Sequence, residues 1–93
     1  MTQVRNDPEK RRFEMDIAGA GVAFANYRLT SDKVYAVTHT ETPRAVRGQG
    51  YGDQLVKGML DLIRDEGGKV IPMCSFVAAY VRRHVEYGDL VER

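Results

Sequence analysis

Cysteine is nearly missing from this sequence: Cys74 stands alone among 93 residues. One thiol closes no internal disulfide and makes a multi-thiolate zinc site implausible. Tryptophan is absent. No uninterrupted apolar run approaches the roughly 20 residues that a membrane-spanning helix needs. Charge of one sign is scarce too. Fourteen Lys and Arg against thirteen Asp and Glu leave a net +1, too weak a field for nucleic-acid or anionic-membrane binding as a main task. Residues 1–12 are polar and charged, with no apolar centre and no small-residue cleavage site, so a secretory leader is not expected. The expectation is a reduced, cytoplasmic protein without a nucleic-acid, membrane or metal partner. A chain of this length holds one small domain.

What is present alternates before it spirals. Residues 1–11 carry charge and one proline and read as a flexible lead-in, leaving 12–93 as the domain. From Arg12 to Ile17, Phe13, Met15 and Ile17 alternate with polar residues, the period of a half-buried strand. Ala18-Gly19-Ala20-Gly21 reads as a turn, Val22 to Thr30 as a second strand and Lys33 to Thr42 as a third. Short links between them predict an antiparallel meander. The first of these strands leaves an edge open to pairing, so a monomer or a weak homodimer is expected.

The helical period enters at Tyr51. Leu55, Val56, Met59, Leu60, Leu62 and Ile63 share one side through Glu66, and Gly67-Gly68 ends the run. Lys69 to Met73 reads as a short strand in which Pro72 needs an edge or a bulge. Ser75 is the expected N-cap of a second helix reaching about His84. The order βββ-αβα predicts an α/β (α+β) domain whose mainly antiparallel sheet carries helices.

The segment Arg47-Gly48-Gln49-Gly50-Tyr51-Gly52 joins a strand to an amphipathic helix. Glycines let the backbone approach a ligand, and the helix start offers unpaired N–H groups and a positive dipole end. Together they make a diphosphate cradle. A P-loop is excluded because Asp53-Gln54 follows where Lys-Ser/Thr is required. A dinucleotide loop is excluded because the spacing is G-x-G-x-G after a meander.

On these residues the chain resembles the GNAT acetyltransferases, whose acetyl-CoA loop reads Arg/Gln-x-x-Gly-x-Gly/Ala at the start of a central helix. Arg47, Gly50 and Gly52 fill those slots. The stretches His39-Thr40-Glu41-Thr42-Pro43, Val70 to Phe76 and Arg83-His84-Val85-Glu86-Tyr87 resemble the short, single-domain subclass of that superfamily. The resemblance implies a GNAT-like fold with a splayed sheet and an acetyl-CoA-dependent N-acetyltransferase. Acetyl-CoA and an amine acceptor are then the partners, the acceptor a protein, a peptide or a polyamine-like molecule.

The same resemblance implies a division of labour. Backbone around Thr40 and Thr42 would hold the pantetheine arm. The amides of Gly48, Gln49, Gly50, Tyr51 and Gly52 would hold the diphosphate. Arg44, Arg47 and Lys57 are candidates for outer phosphate contacts. On the third strand, plain alternation puts Tyr35, Val37, His39 and Glu41 on one face and Ala36, Thr38, Thr40 and Thr42 on the other. His39 and Glu41 are therefore candidates to act together, His39 as the general base because its ordinary pKa is near 6.5. Cys74 precedes a helix N-terminus, which favours thiolate. It is a candidate for the coenzyme site and for catalysis, as nucleophile or proton relay, against a packing role. Tyr80 is a candidate proton donor to the leaving thiolate, or a core residue. His84 and Tyr87 are candidates for the acceptor entrance.

Two other readings stay open on the sequence. One is a catalytically weak CoA-binding module with a sensing or protein-interaction role. The other is a structural domain whose glycine loop binds nothing.

Overall fold

A computed structural model describes residues 3–92; Met1, Thr2 and Arg93 lie outside them. One sheet runs in chain order, β1 (Val4–Asp7), β2 (Arg12–Ile17), β3 (Gly21–Ser31), β4 (Val34–Glu41) and β5 (Lys69–Pro72). The first four pair antiparallel, and β4 with β5 is parallel. Helix α1 (Tyr51–Asp65) fills the crossover between β4 and β5, and α2 (Ser75–Arg83) follows β5. The expected mainly antiparallel α/β domain is present.

The lead-in expectation needs correction. Val4–Asp7 is a strand, with Val4 opposite Met15 and Asp7 opposite Arg12. Four residues are too few for a period to be read. What holds the strand is long-range. Arg5 pairs with Glu14 at 2.8 Å and with Asp16 at 2.9 Å. Val4 sits against Gly58 so closely that a Cβ there would meet its Cγ2 at 2.3 Å. The hydroxyl of Tyr27 donates to Asn6 at 2.7 Å. Strand β2 is therefore not the free edge; β1 is.

A second correction concerns parity in β4. His39 pairs with Asn26 but Val37 pairs with Tyr27, so Thr38 is an extra residue in the ladder. A bulge of this kind reverses which residues face inward beyond it. Tyr35, Val37 and then Thr40 point to the core side. His39 and Glu41 turn to the other face, where Glu41 lies opposite Phe24. A bulge inserts one residue without changing composition, so simple alternation could not reveal it.

Packing follows the apolar stripes. Leu55, Val56, Met59, Leu60 and Ile63 of α1 are buried against Phe13, Met15, Ala23, Ala25 and Val37 of the sheet. Each such side chain contributes about 1.5–3 kcal/mol by leaving water. Phe13, Tyr27 and Tyr35 form a ring cluster with centroids 4.8–5.4 Å apart. The tail is ordered as well. A 3-10 helix spans Val85–Leu90, and Val91 bridges Val70 on the outer side of β5. That edge is covered at Val70, where the Glu92 amide also donates to the Val70 carbonyl at 2.8 Å.

Candidate active site

Strands β4 and β5 part company at Val37. Their pairing runs from Val34–Lys69 to Val37–Pro72 and ends there. The amides of Met73 and Cys74 both donate to the Val37 carbonyl, at 3.1 and 2.9 Å, and turn the chain into α2. Beyond this point β4 continues to Glu41 with β3 on one side and a cleft of about 580 Å³ on the other. His39 to Thr42, Val46 to Gly48, Gly50 to Asp53 and Phe76 line it.

The floor of the cleft at its helical end is backbone. Gly50 is the N-cap of α1, in left-handed conformation with φ 87°, and no side chain caps the helix. Gly48 is also left-handed, with φ 83°. A Cβ on either would meet nothing within 4 Å, so conformation is the reason for glycine at both. The first turn of α1, with no side chain capping its amides, borders the cleft and brings the positive dipole end to it. That is the donor set an anion needs. Arg47 braces the loop: its Nε donates to the Thr42 carbonyl at 3.1 Å. Asp53, in the first turn, brings a negative charge to the cleft, and Arg83 of α2 reaches it at 3.3 Å.

Cys74 lies behind Thr40 at the other end. Its Sγ is 3.7 Å from Thr40 Oγ1. Cys74, not Ser75, is the N-cap of α2, and no side-chain hydrogen bond closes the cap. Partial burial pushes the thiol pKa up, but the nearby amides of Val77 and Phe76 and the hydroxyl and amide of Thr40 favour thiolate more. The net direction is downward. On the opposite face of β4, His39 Nε2 stands 3.9 Å from Glu41 Oε2, and the Phe24 ring packs edge-on against the imidazole. Both polar side chains are about half exposed.

The structure thus brings Thr40, Thr42, Arg47, Gly48, Gly50, Tyr51, Gly52, His39 and Glu41 to one cleft, with Cys74 touching Thr40 behind it. Gln49 is an exposed loop residue outside the lining. Tyr80 is not brought there. It is buried, stacked on His84 with centroids 4.0 Å apart, and burial raises its pKa. Lys57 is paired with Asp61 at 3.0 Å, and the Tyr87 hydroxyl donates to the same carboxylate. Phe76, Val46 and Asp53 line the cleft without having been singled out in the sequence. Asp53 was visible as an acid at a helix start; nothing local marked the other two. Among the described residues, no group of three or more His, Cys, Asp or Glu could hold a metal ion, and no helix is long and apolar enough to cross a membrane.

A family model described as GCN5-related N-acetyl-transferase matches residues 12–90. The chain belongs to that family. Among curated relatives it is similar to Protein NATD1 of Gallus gallus, 30% identical over 83 residues, covering 88% of this chain and 76% of that one. The Mus musculus protein of the same name is 29% identical over the same coverage. Among solved structures, the solution structure of a GCN5-like protein from Staphylococcus aureus superposes with a TM-score of 0.71. It is 23% identical and covers 97% of this chain and 87% of that one. The fold is therefore GNAT-like.

Proposed function

We propose that this protein is an acetyl-CoA-dependent N-acetyltransferase acting on a peptide, protein or polyamine-like amine. The observation that carries the reading is the uncapped start of α1, opening onto the same cleft as the free side of β4. Those amides suit the diphosphate. Backbone at Thr40 to Thr42 suits the amides of the pantetheine arm. The sulfur end then lies toward Thr40 and Cys74. Bound acetyl-CoA would supply the activated acyl group.

The chain's own residues have distinct tasks in this reading. His39, beside Glu41, takes the proton from the acceptor amine. The two side chains reach the cleft from the face of β4 opposite Thr40, so amine and thioester approach from different sides. Cys74, in its thiol form, gives its proton to the departing sulfur and regains one from water or from the protonated base. Cys74 is not itself among the lining residues and meets the cleft through Thr40, 3.7 Å away. The cleft is open, which suits an acceptor presented on a chain better than a small molecule needing enclosure. A cytoplasmic setting is consistent with the unpaired thiol.

One observation favours the weaker second reading, a CoA-binding module with little turnover: Tyr80, the candidate proton donor, is packed away from the cleft. Purified protein with acetyl-CoA and a panel of peptides and polyamines separates the two. Acetylated product that falls sharply in His39→Ala supports the transferase. A coenzyme-dependent rise in Tm without any product supports the module.

A further inference from the structure

The third glycine of the loop differs from the other two. Gly52 lies inside α1, where any L-residue could take its backbone conformation. Its missing side chain has another cause. A Cβ on Gly52 would stand 2.8 Å from Cζ and 3.2 Å from Cε2 of Phe76. The family pattern accepts glycine or alanine at this slot; here a methyl would have to push the tip of the Phe76 ring aside. Phe76 is in the first turn of α2, is 40% exposed, and lines the cleft. A large apolar ring held half in water, against a bare Cα, is a surface awaiting an apolar neighbour.

We propose that Phe76 is a positioning residue for the coenzyme. Its ring, seated on Gly52, forms the wall that grips the pantetheine arm between the α1 cradle and the Thr40–Cys74 end. The proposal rests on the reading of this cleft as a coenzyme A site. The pantetheine arm is largely aliphatic with a geminal dimethyl group, so burying it against an aromatic ring is favourable. Phe76 also lies two residues beyond Cys74. A displaced ring therefore disturbs the wall and the start of α2 together. Gly52, on this account, serves the ring and not the diphosphate.

The test is a double-mutant cycle read by calorimetry with coenzyme A, on wild type, Gly52→Ala, Phe76→Ala and the double variant, with Tm measured for each. Phe76→Ala should weaken binding about fivefold or more, the usual consequence of truncating an aromatic anchor. Gly52→Ala should do the same in the wild-type background and nothing further in the Phe76→Ala background. Phe76→Leu should restore part of the loss at unchanged Tm. Equal losses from Gly52→Ala in both backgrounds would mean that the glycine serves the ligand, and would overturn the proposal. So would unchanged affinity in Phe76→Ala. Wild type without heat at millimolar coenzyme A would instead remove the coenzyme reading on which the proposal stands.

Discussion

The hydroxyl of Thr40 lies 3.7 Å from the sulfur of Cys74, joining the free side of β4 to the N-cap of α2. Thiolate at Cys74 is favoured by that hydroxyl and by the first amides of α2, against the opposing effect of burial. Alkylation by iodoacetamide should therefore persist to lower pH than for an ordinary thiol. Thr40→Val should move the midpoint back up. The sign carries over to stability. A depressed folded pKa gives stability that is fully present above the unfolded thiol value and is lost as pH falls through the folded one. Wild type should gain on Cys74→Ala as pH rises across that interval, read by urea unfolding at several pH values.

Asp53 sets a negative charge beside amides that suit an anion, and Arg83 offsets it at 3.3 Å. Asp53→Asn should tighten coenzyme A binding by a few-fold, while the lost helix-end interaction costs about 0.3–1 kcal/mol of stability. Arg83→Ala should weaken binding. Calorimetry at low and high salt checks the cause, because both effects should shrink as screening increases.

Gly50 holds φ 87° with open space where a Cβ would stand. Strain, not collision, is the cost of a side chain there. Gly50→Asn should cost little, since Asn tolerates the left-handed region, whereas Gly50→Val should cost about 2 kcal/mol or more. Urea denaturation gives the stabilities. Loss of the coenzyme-induced Tm rise in Gly50→Val, with its fold retained at low temperature, would tie the loop to binding.

Glu14 is 3% exposed and meets Arg5 at 2.8 Å and Arg12 at 2.5 Å. The guanidinium of Arg12 also lies 4.5 Å above the Phe24 ring, which packs against His39. Glu14→Gln should destabilise the fold by about 1–2 kcal/mol, because the buried carboxylate loses hydrogen bonds to charged partners that can themselves stay in water. Urea unfolding reads it directly.

How much of this could be read in advance depends on range. The stripe from Leu55 to Ile63 and the alternation of Phe13, Met15 and Ile17 are local, so the sequence displays them. The glycine loop is local too, and Gly48 and Gly50 take the positive φ that justifies glycine. Strand β1 was hidden because it depends on Gly58, Tyr27 and Glu14, all distant in sequence. The face taken by His39 was misread because one extra residue at Thr38 reverses it. Phe76 was missed because its meaning comes from Gly52, brought close by the packing of α1 and α2. Tyr80 shows the opposite limit: the family resemblance makes it a candidate proton donor as well as a core residue, and the ring is spent on packing with His84.

The central claim is that the opening amides of α1 hold the diphosphate of coenzyme A. Isothermal titration of the purified protein with acetyl-CoA tests it most directly. The account predicts saturable heat at one site per chain, abolished by Gly50→Val. No heat at millimolar acetyl-CoA, or undiminished heat in Gly50→Val, would contradict it.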